Sequence, residues 1–183
     1  MKVYYAGFNL YGQLTADADS LVRKFIDFHY ESLRDVILNH TNSILMYEKA
    51  LYINGAHGEL THQLVKVEDD ETSSGKVSCS DDKMFLLKDD GELLKLDFDS
   101  GTAKLERVPN FLVVENSSPG GDSIVNVSCG RKITVTVSKF GKVFNGFNKL
   151  KFGEHDISQV ATGREHCLLL DADGSVYSFG NGR

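Results

Sequence analysis

Glycines eleven residues apart recur along this chain, each pair enclosing a β-rich run that is followed at once by a second. Gly163 and Gly174 enclose His166-Cys167-Leu168-Leu169-Leu170, and Val176-Tyr177-Ser178-Phe179 follows. Gly130 and Gly141 enclose Ile133-Thr134-Val135-Thr136-Val137, and Val143-Phe144 follows. In a third copy Ser80 stands in place of the first glycine, Gly91 comes eleven residues later, and Met84-Phe85-Leu86-Leu87 lies between them. The second glycine closes a short polar turn (Asp-Ala-Asp-Gly, Ser-Lys-Phe-Gly, Lys-Asp-Asp-Gly), where a tight hairpin demands positive φ. Each copy therefore predicts a β-hairpin. A single hairpin cannot bury its own apolar face, so the copies must stack on one another.

The second glycines are spaced by 50 residues (91 to 141) and then by 33 (141 to 174), as expected of sheets joined by loops of variable length. A worn fourth copy runs from Val36 through Ile44-Leu45-Met46-Tyr47 to Leu51-Tyr52-Ile53-Asn54-Gly55. Another hairpin, Leu93–Leu96 with Ala103–Val108, would complete a four-stranded unit in the third copy. These readings place repeat copies near 35–55, 77–108, 124–148 and 157–183, with variable insertions near 15–34 and 66–76. Residues 17–39 fit either a helix or an irregular insertion. The stretches 68–75 and 116–122 read as surface loops.

Seventeen glycines against two prolines agree with many tight turns. The net charge of −6 argues against a stand-alone nucleic-acid binder, so direct nucleic-acid binding is not expected. No apolar run approaches the roughly 18 residues of a membrane helix, and the first residues lack the apolar stretch of a secretory signal. Cys79, Cys129 and Cys167 are isolated and odd in number, which reads as reduced thiols in an intracellular protein.

No metal, cofactor or catalytic site is expected. There is no Cys-x-x-Cys or His-x-x-x-His pair, no phosphate loop and no nucleophile elbow. Asp97-Phe98-Asp99-Ser100-Gly101 and Asp171-Ala172-Asp173-Gly174 lack the full ligand set of a calcium loop and read as turns. Cys79 and Cys129 share one repeat position and read as packed thiols. The candidate partner contacts are Arg131 and Lys132 in one copy and Arg164 and Glu165 in the next. They hold matching positions after the first glycine and would point the same way, though solvated loop charge explains them as well.

Gly7-Phe8-Asn9-Leu10-Tyr11-Gly12-Gln13-Leu14 resembles the Gly-x-Asn-x-x-Gly-Gln-Leu signature of regulator-of-chromosome-condensation repeats. The stretch from Val160 to Gly180 resembles the second signature of that family, with Phe179-Gly180 where the family has Trp-Gly. The strong matches lie in residues 3–14 and 157–183. The signature residues are Gly7, Gly12, Gln13, Gly91, Gly130, Gly141, Gly163, His166, Gly174 and Gly180.

The resemblance implies an all-β fold, part of a seven-bladed β-propeller, of which this chain holds roughly three to four blades. It also implies that His166 serves structure and not catalysis, by bonding to a neighbouring blade. The chain reads as part of a longer ring; the alternative is a half-ring that dimerises. The function expected is a non-enzymatic protein-interaction scaffold, nuclear or chromatin-associated, or cytoplasmic. Glu165-His166-Cys167-Leu168-Leu169-Leu170-Asp171 fits a subgroup whose resemblance implies a Jumonji-type oxygenase as partner. The alternative is guanine-nucleotide exchange on a small GTPase. An enzyme on a propeller scaffold comes third.

Overall fold

The computed structural model describes residues 2–10, 21–29, 32–48, 50–57, 60–68, 75–80, 83–99, 102–108, 121–146, 148–153 and 155–181. Every regular element among them is a β-strand. The chain divides into two compact units, residues 1–74 with 96–106, and residues 75–95 with 107–183.

In the first unit, β1 (Lys2–Phe8) pairs antiparallel with β2 (Leu21–His29). Next, β3 (Leu33–Leu38), β4 (Asn42–Tyr47), β5 (Leu51–His57) and β6 (Leu60–Glu68) form an antiparallel meander. Strands thus fill 21–29 and 33–38, where the sequence fitted a helix or an insertion. The β1–β2 pairing carries a register shift, in which Gly7 faces Val22 but Tyr5 faces Ile26. That irregularity breaks the two-residue alternation a strand normally shows. Leu33, Ile44, Met46, Leu51, Ile53 and Val67 are buried.

The next meander comprises β7 (Lys76–Cys79), β8 (Met84–Leu87), β9 (Leu93–Asp99) and β10 (Thr102–Arg107). The expected hairpin of β9 and β10 is present. Within the first unit β10 also pairs with β6, in parallel, with Ala103 opposite Val67.

In the second unit β7, β8 and the start of β9 are followed by two more sheets. One is β11 (Ile124–Cys129), β12 (Thr134–Ser138), β13 (Val143–Asn145) and β14 (Asn148–Lys149). The other is β15 (Ile157–Thr162), β16 (His166–Asp171) and β17 (Val176–Gly180). Two apolar clusters join them face to face. Leu87 and Leu93 pack against Ile124, Val127, Cys129 and Phe144. Val135, Val137 and Val143 pack against Ile157, Cys167 and Leu169. Full burial of each such side chain contributes about 1.5–3 kcal/mol.

The copies agree in detail. Gly91, Gly141 and Gly174 take φ of +86°, +73° and +87°, and their N–H groups donate to the carbonyls of Lys88, Ser138 and Asp171 at 3.0, 3.0 and 3.1 Å. The first strand of a copy carries a register irregularity six residues before the first-glycine position, at Leu33, Ile124 and Ile157. The worn copy keeps that bulge, but closes its turn with the Tyr47 N–H on the Ala50 carbonyl at 2.8 Å, without glycine.

Candidate partner-binding loops

The loop after the first strand is closed in the same way in every copy. The N–H at the first-glycine position donates to the carbonyl three residues on: Ser80 to Lys83 at 2.7 Å, Gly130 to Ile133 at 2.7 Å, Gly163 to His166 at 2.9 Å. Asn39 does the same to Asn42 at 2.8 Å in the worn copy. A backbone bond needs no particular side chain, so serine and asparagine can hold the place of glycine.

In the second unit these loops are tied in a row. Lys83 Nζ donates to the Arg131 carbonyl at 3.1 Å. The Lys132 N–H donates to the Arg164 carbonyl at 2.9 Å, and the Asn181 N–H to the Glu165 carbonyl at 2.9 Å. Lys132 Nζ stands 2.8 Å from Glu165 Oε1, and Asn181 Nδ2 donates to Glu165 Oε2 at 3.3 Å. The hydrogen bond from Lys132, then that from Asn181, holds the Glu165 carboxyl below the usual carboxylate range.

The structure therefore brings Lys132, Arg164 and Glu165 together, with Arg164 Nε 3.8 Å from Glu165 Oε1. Arg131, Lys132 and Arg164 are exposed and Glu165 half-buried. Arg131 makes no ion pair among the described residues. Lys83 and Asn181 complete the row and carry no repeat signature of their own: their contribution depends on neighbouring loops meeting in space.

Between the same loops Gly130 approaches the Gly163 carbonyl. Below them Cys129 N–H donates to Ser78 Oγ at 2.9 Å, and Ser128 Oγ lies 2.9 Å from Thr162 Oγ1. His166 opens β16 opposite Gly180, exposed, with its ring against Gly163. Among the described residues its side chain makes no bond to a neighbouring sheet. Gly7 lies in β1; Gly12 and Gln13 lie outside the described residues, as do Asp81 and Asp82 of the third copy's loop.

A second polar cluster joins residues that share no sequence motif. Tyr177 OH donates to Asp171 Oδ2 at 3.1 Å and lies 3.3 Å from His155 Nδ1, while Phe152 packs edge-on against Tyr177. Asp171 Oδ1 accepts from the N–H groups of Ser175 at 2.8 Å and Asp173 at 3.1 Å. Oδ1 is thus taken up by the turn and Oδ2 by Tyr177, and residues 171–174 form the tight turn expected of them. Desolvation, then the bond to Asp171, pushes the Tyr177 phenol up. Cys129 and Cys167 are buried free thiols, both pushed up to about 11 by desolvation.

Stacked antiparallel meanders, joined through apolar faces and carrying equivalent loops, define this chain as part of a β-propeller. Residues 157–183 match the family model described as the Regulator of chromosome condensation (RCC1) repeat. No curated protein matches the sequence. Among solved structures, human WBSCR16 is 15% identical with a TM-score of 0.71, over 97% of this chain and 56% of that one. Saccharomyces cerevisiae Prp20p, a structure described with its binding properties to Gsp1p and histones, is 13% identical with a TM-score of 0.66, over 96% of this chain and 51% of that one. Yeast RCC1 (Prp20) bound to Kap60 is 12% identical with a TM-score of 0.65, over 91% and 48%. The chain thus spans about half the length of these proteins.

Proposed function

We propose that the chain works as a protein-interaction scaffold, part of a propeller that presents its loops to a partner and performs no catalysis of its own. The observation that carries this reading is the row from Lys83 to Asn181. It ties consecutive loops together at the backbone and leaves Arg131 and Arg164 facing solvent. A prearranged surface binds with less ordering cost than loose loops would. Repeat proteins characteristically use aligned loops in this way. A nuclear, chromatin-associated setting is the proposed location, and a Jumonji-type oxygenase one proposed partner.

Exchange of guanine nucleotide on a small GTPase is the second reading. It draws on the likeness of fold to Prp20p, a protein described with its binding to Gsp1p. An exchange factor acts by binding and distorting its GTPase, so it too needs a shaped surface and no catalytic constellation.

The test is affinity capture with the full protein containing this chain, followed by reconstitution of each recovered complex from purified components, beside a nucleotide-release assay on a panel of small GTPases. A reconstituted complex with no acceleration of release supports the scaffold. Release well above background moves the assignment to exchange. Capture that yields no complex able to be reconstituted overturns the scaffold reading.

A further inference from the structure

Arg131 and Arg164 each follow the first glycine of their copy by one residue, and each has its carbonyl held by the preceding loop: Arg131 by Lys83 Nζ at 3.1 Å, Arg164 by the Lys132 N–H at 2.9 Å. The two backbones are fixed while the two side chains remain exposed. Charge at this place is unevenly balanced. Within the Arg131 and Arg164 loops themselves, Arg131, Lys132 and Arg164 stand with Glu165 as their carboxylate, while the neighbouring loop adds Lys83 beside Asp81 and Asp82, which lie outside the described residues. Glu165 is committed to Lys132 at 2.8 Å and to Asn181 at 3.3 Å. Arg164 reaches it only at 3.8 Å, and Arg131 has no ion pair among the described residues.

This local surplus of cations sits on a chain of net charge −6. Had the loops carried only average surface charge, the surplus would be negative. A cationic patch on an acidic protein attracts acidic partners from solution while the remainder of the surface repels polyanions that spread beyond the patch. Guanidinium groups add a geometric preference, because each presents a planar fork that a carboxylate fills with two parallel hydrogen bonds.

We propose that the Arg131 and Arg164 loops form a docking site for an acidic peptide segment, one rich in Asp and Glu, on the protein partner. The inference rests on the scaffold reading and gives the partner its chemistry. Long duplex nucleic acid is disfavoured because its charge would extend past the two loops over a chain of net charge −6, whereas a short acidic segment can be confined to them.

Fluorescence anisotropy with a labelled deca-glutamate peptide tests this, using the full protein containing the chain. Three variants are compared: Arg131→Gln with Arg164→Gln, the conservative pair Arg131→Lys with Arg164→Lys, and a control pair, Lys139→Gln with Lys149→Gln, which are exposed lysines outside the row. Two exposed charge pairs lost together should weaken binding by about fivefold to tenfold at low salt. The lysine pair should keep part of the affinity, and the control should bind like wild type.

Melting temperatures matching wild type show that these surface variants are folded. The inference is overturned if the peptide does not bind, if the control loses as much as the glutamine pair, or if a labelled 20-base-pair duplex binds more tightly than the peptide. The scaffold reading is judged separately. Complexes that reconstitute equally well with the glutamine pair overturn the acidic-segment inference alone.

Discussion

Gly130 lies so close to Gly163 that a β-carbon built on it would stand 1.9 Å from the Gly163 carbonyl oxygen. Gly174 presents the opposite case: nothing lies within 4 Å of its would-be β-carbon, but its φ is +87°. The two glycines are required for different reasons, one for contact between neighbouring sheets and one for backbone conformation. Gly130→Ala should therefore cost about 3 kcal/mol or more, since backbone on the next sheet must move. Gly174→Ala should cost about 1–2 kcal/mol of local strain. Chemical denaturation of the two variants checks the order, and equal losses would contradict it.

The raised thiols of Cys129 and Cys167 give a prediction at alkaline pH. Each stands at about 11 in the folded protein against an ordinary 9.0. Between those values the unfolded chain has lost protons that the folded chain still holds, so unfolding gains. Stability should be unaffected by these groups below pH 9.0 and should fall as pH rises from there toward 11. Replacing both cysteines with alanine should flatten that part of the pH profile, and a thiol-specific reagent at neutral pH should leave both unmodified until the protein opens.

Much of the fold was legible because its glycines obey local rules. A positive-φ turn strongly favours glycine, so Gly91, Gly141 and Gly174 mark their hairpins in the sequence itself. The worn copy was harder to read because its loop is closed by backbone bonds at Asn39 and Tyr47, which any residue can make. Residues 21–29 fitted either a helix or an irregular insertion because the register shift opposite Tyr5 and Gly7 breaks alternation. Within the candidate site, Arg131, Lys132, Arg164 and Glu165 followed from repeat position. Glu165's engagement with Asn181 and the His155–Asp171–Tyr177 cluster did not, because these contacts join residues from separate turns.

Asp122 should prove sensitive to the loss of its cation. Its carboxylate side chain is fully buried, accepts from the Phe140 N–H at 3.2 Å through Oδ1, and faces Lys142 Nζ at 3.3 Å through Oδ2. A buried carboxylate deprived of its counter-charge loses the interaction that offsets its desolvation. Lys142→Met, which keeps the aliphatic stem, should cost about 2–3 kcal/mol. The double replacement Asp122→Asn with Lys142→Met should recover part of that loss. A thermodynamic double-mutant cycle reads the coupling directly, and additive losses would show that the pair does not act together.

The last sheet yields the final prediction through its contrast with the one before it. Leu168 and Val176 are 46% and 65% exposed, while Val135 and Val143, which hold the same repeat positions one copy earlier, are 0% and 1% exposed. The earlier pair is covered by Ile157, Cys167 and Leu169 of the following copy. In the 183-residue chain, Val135→Ala and Val143→Ala should each cost about 1.5–3 kcal/mol. Leu168→Ser and Val176→Thr should each stay within about 0.5 kcal/mol. Thermal unfolding of the four variants side by side decides the matter. Should Leu168→Ser cost as much as Val135→Ala, the outer face of β16 and β17 is covered in solution as its counterpart is, and the apolar residues there are core residues of a larger assembly.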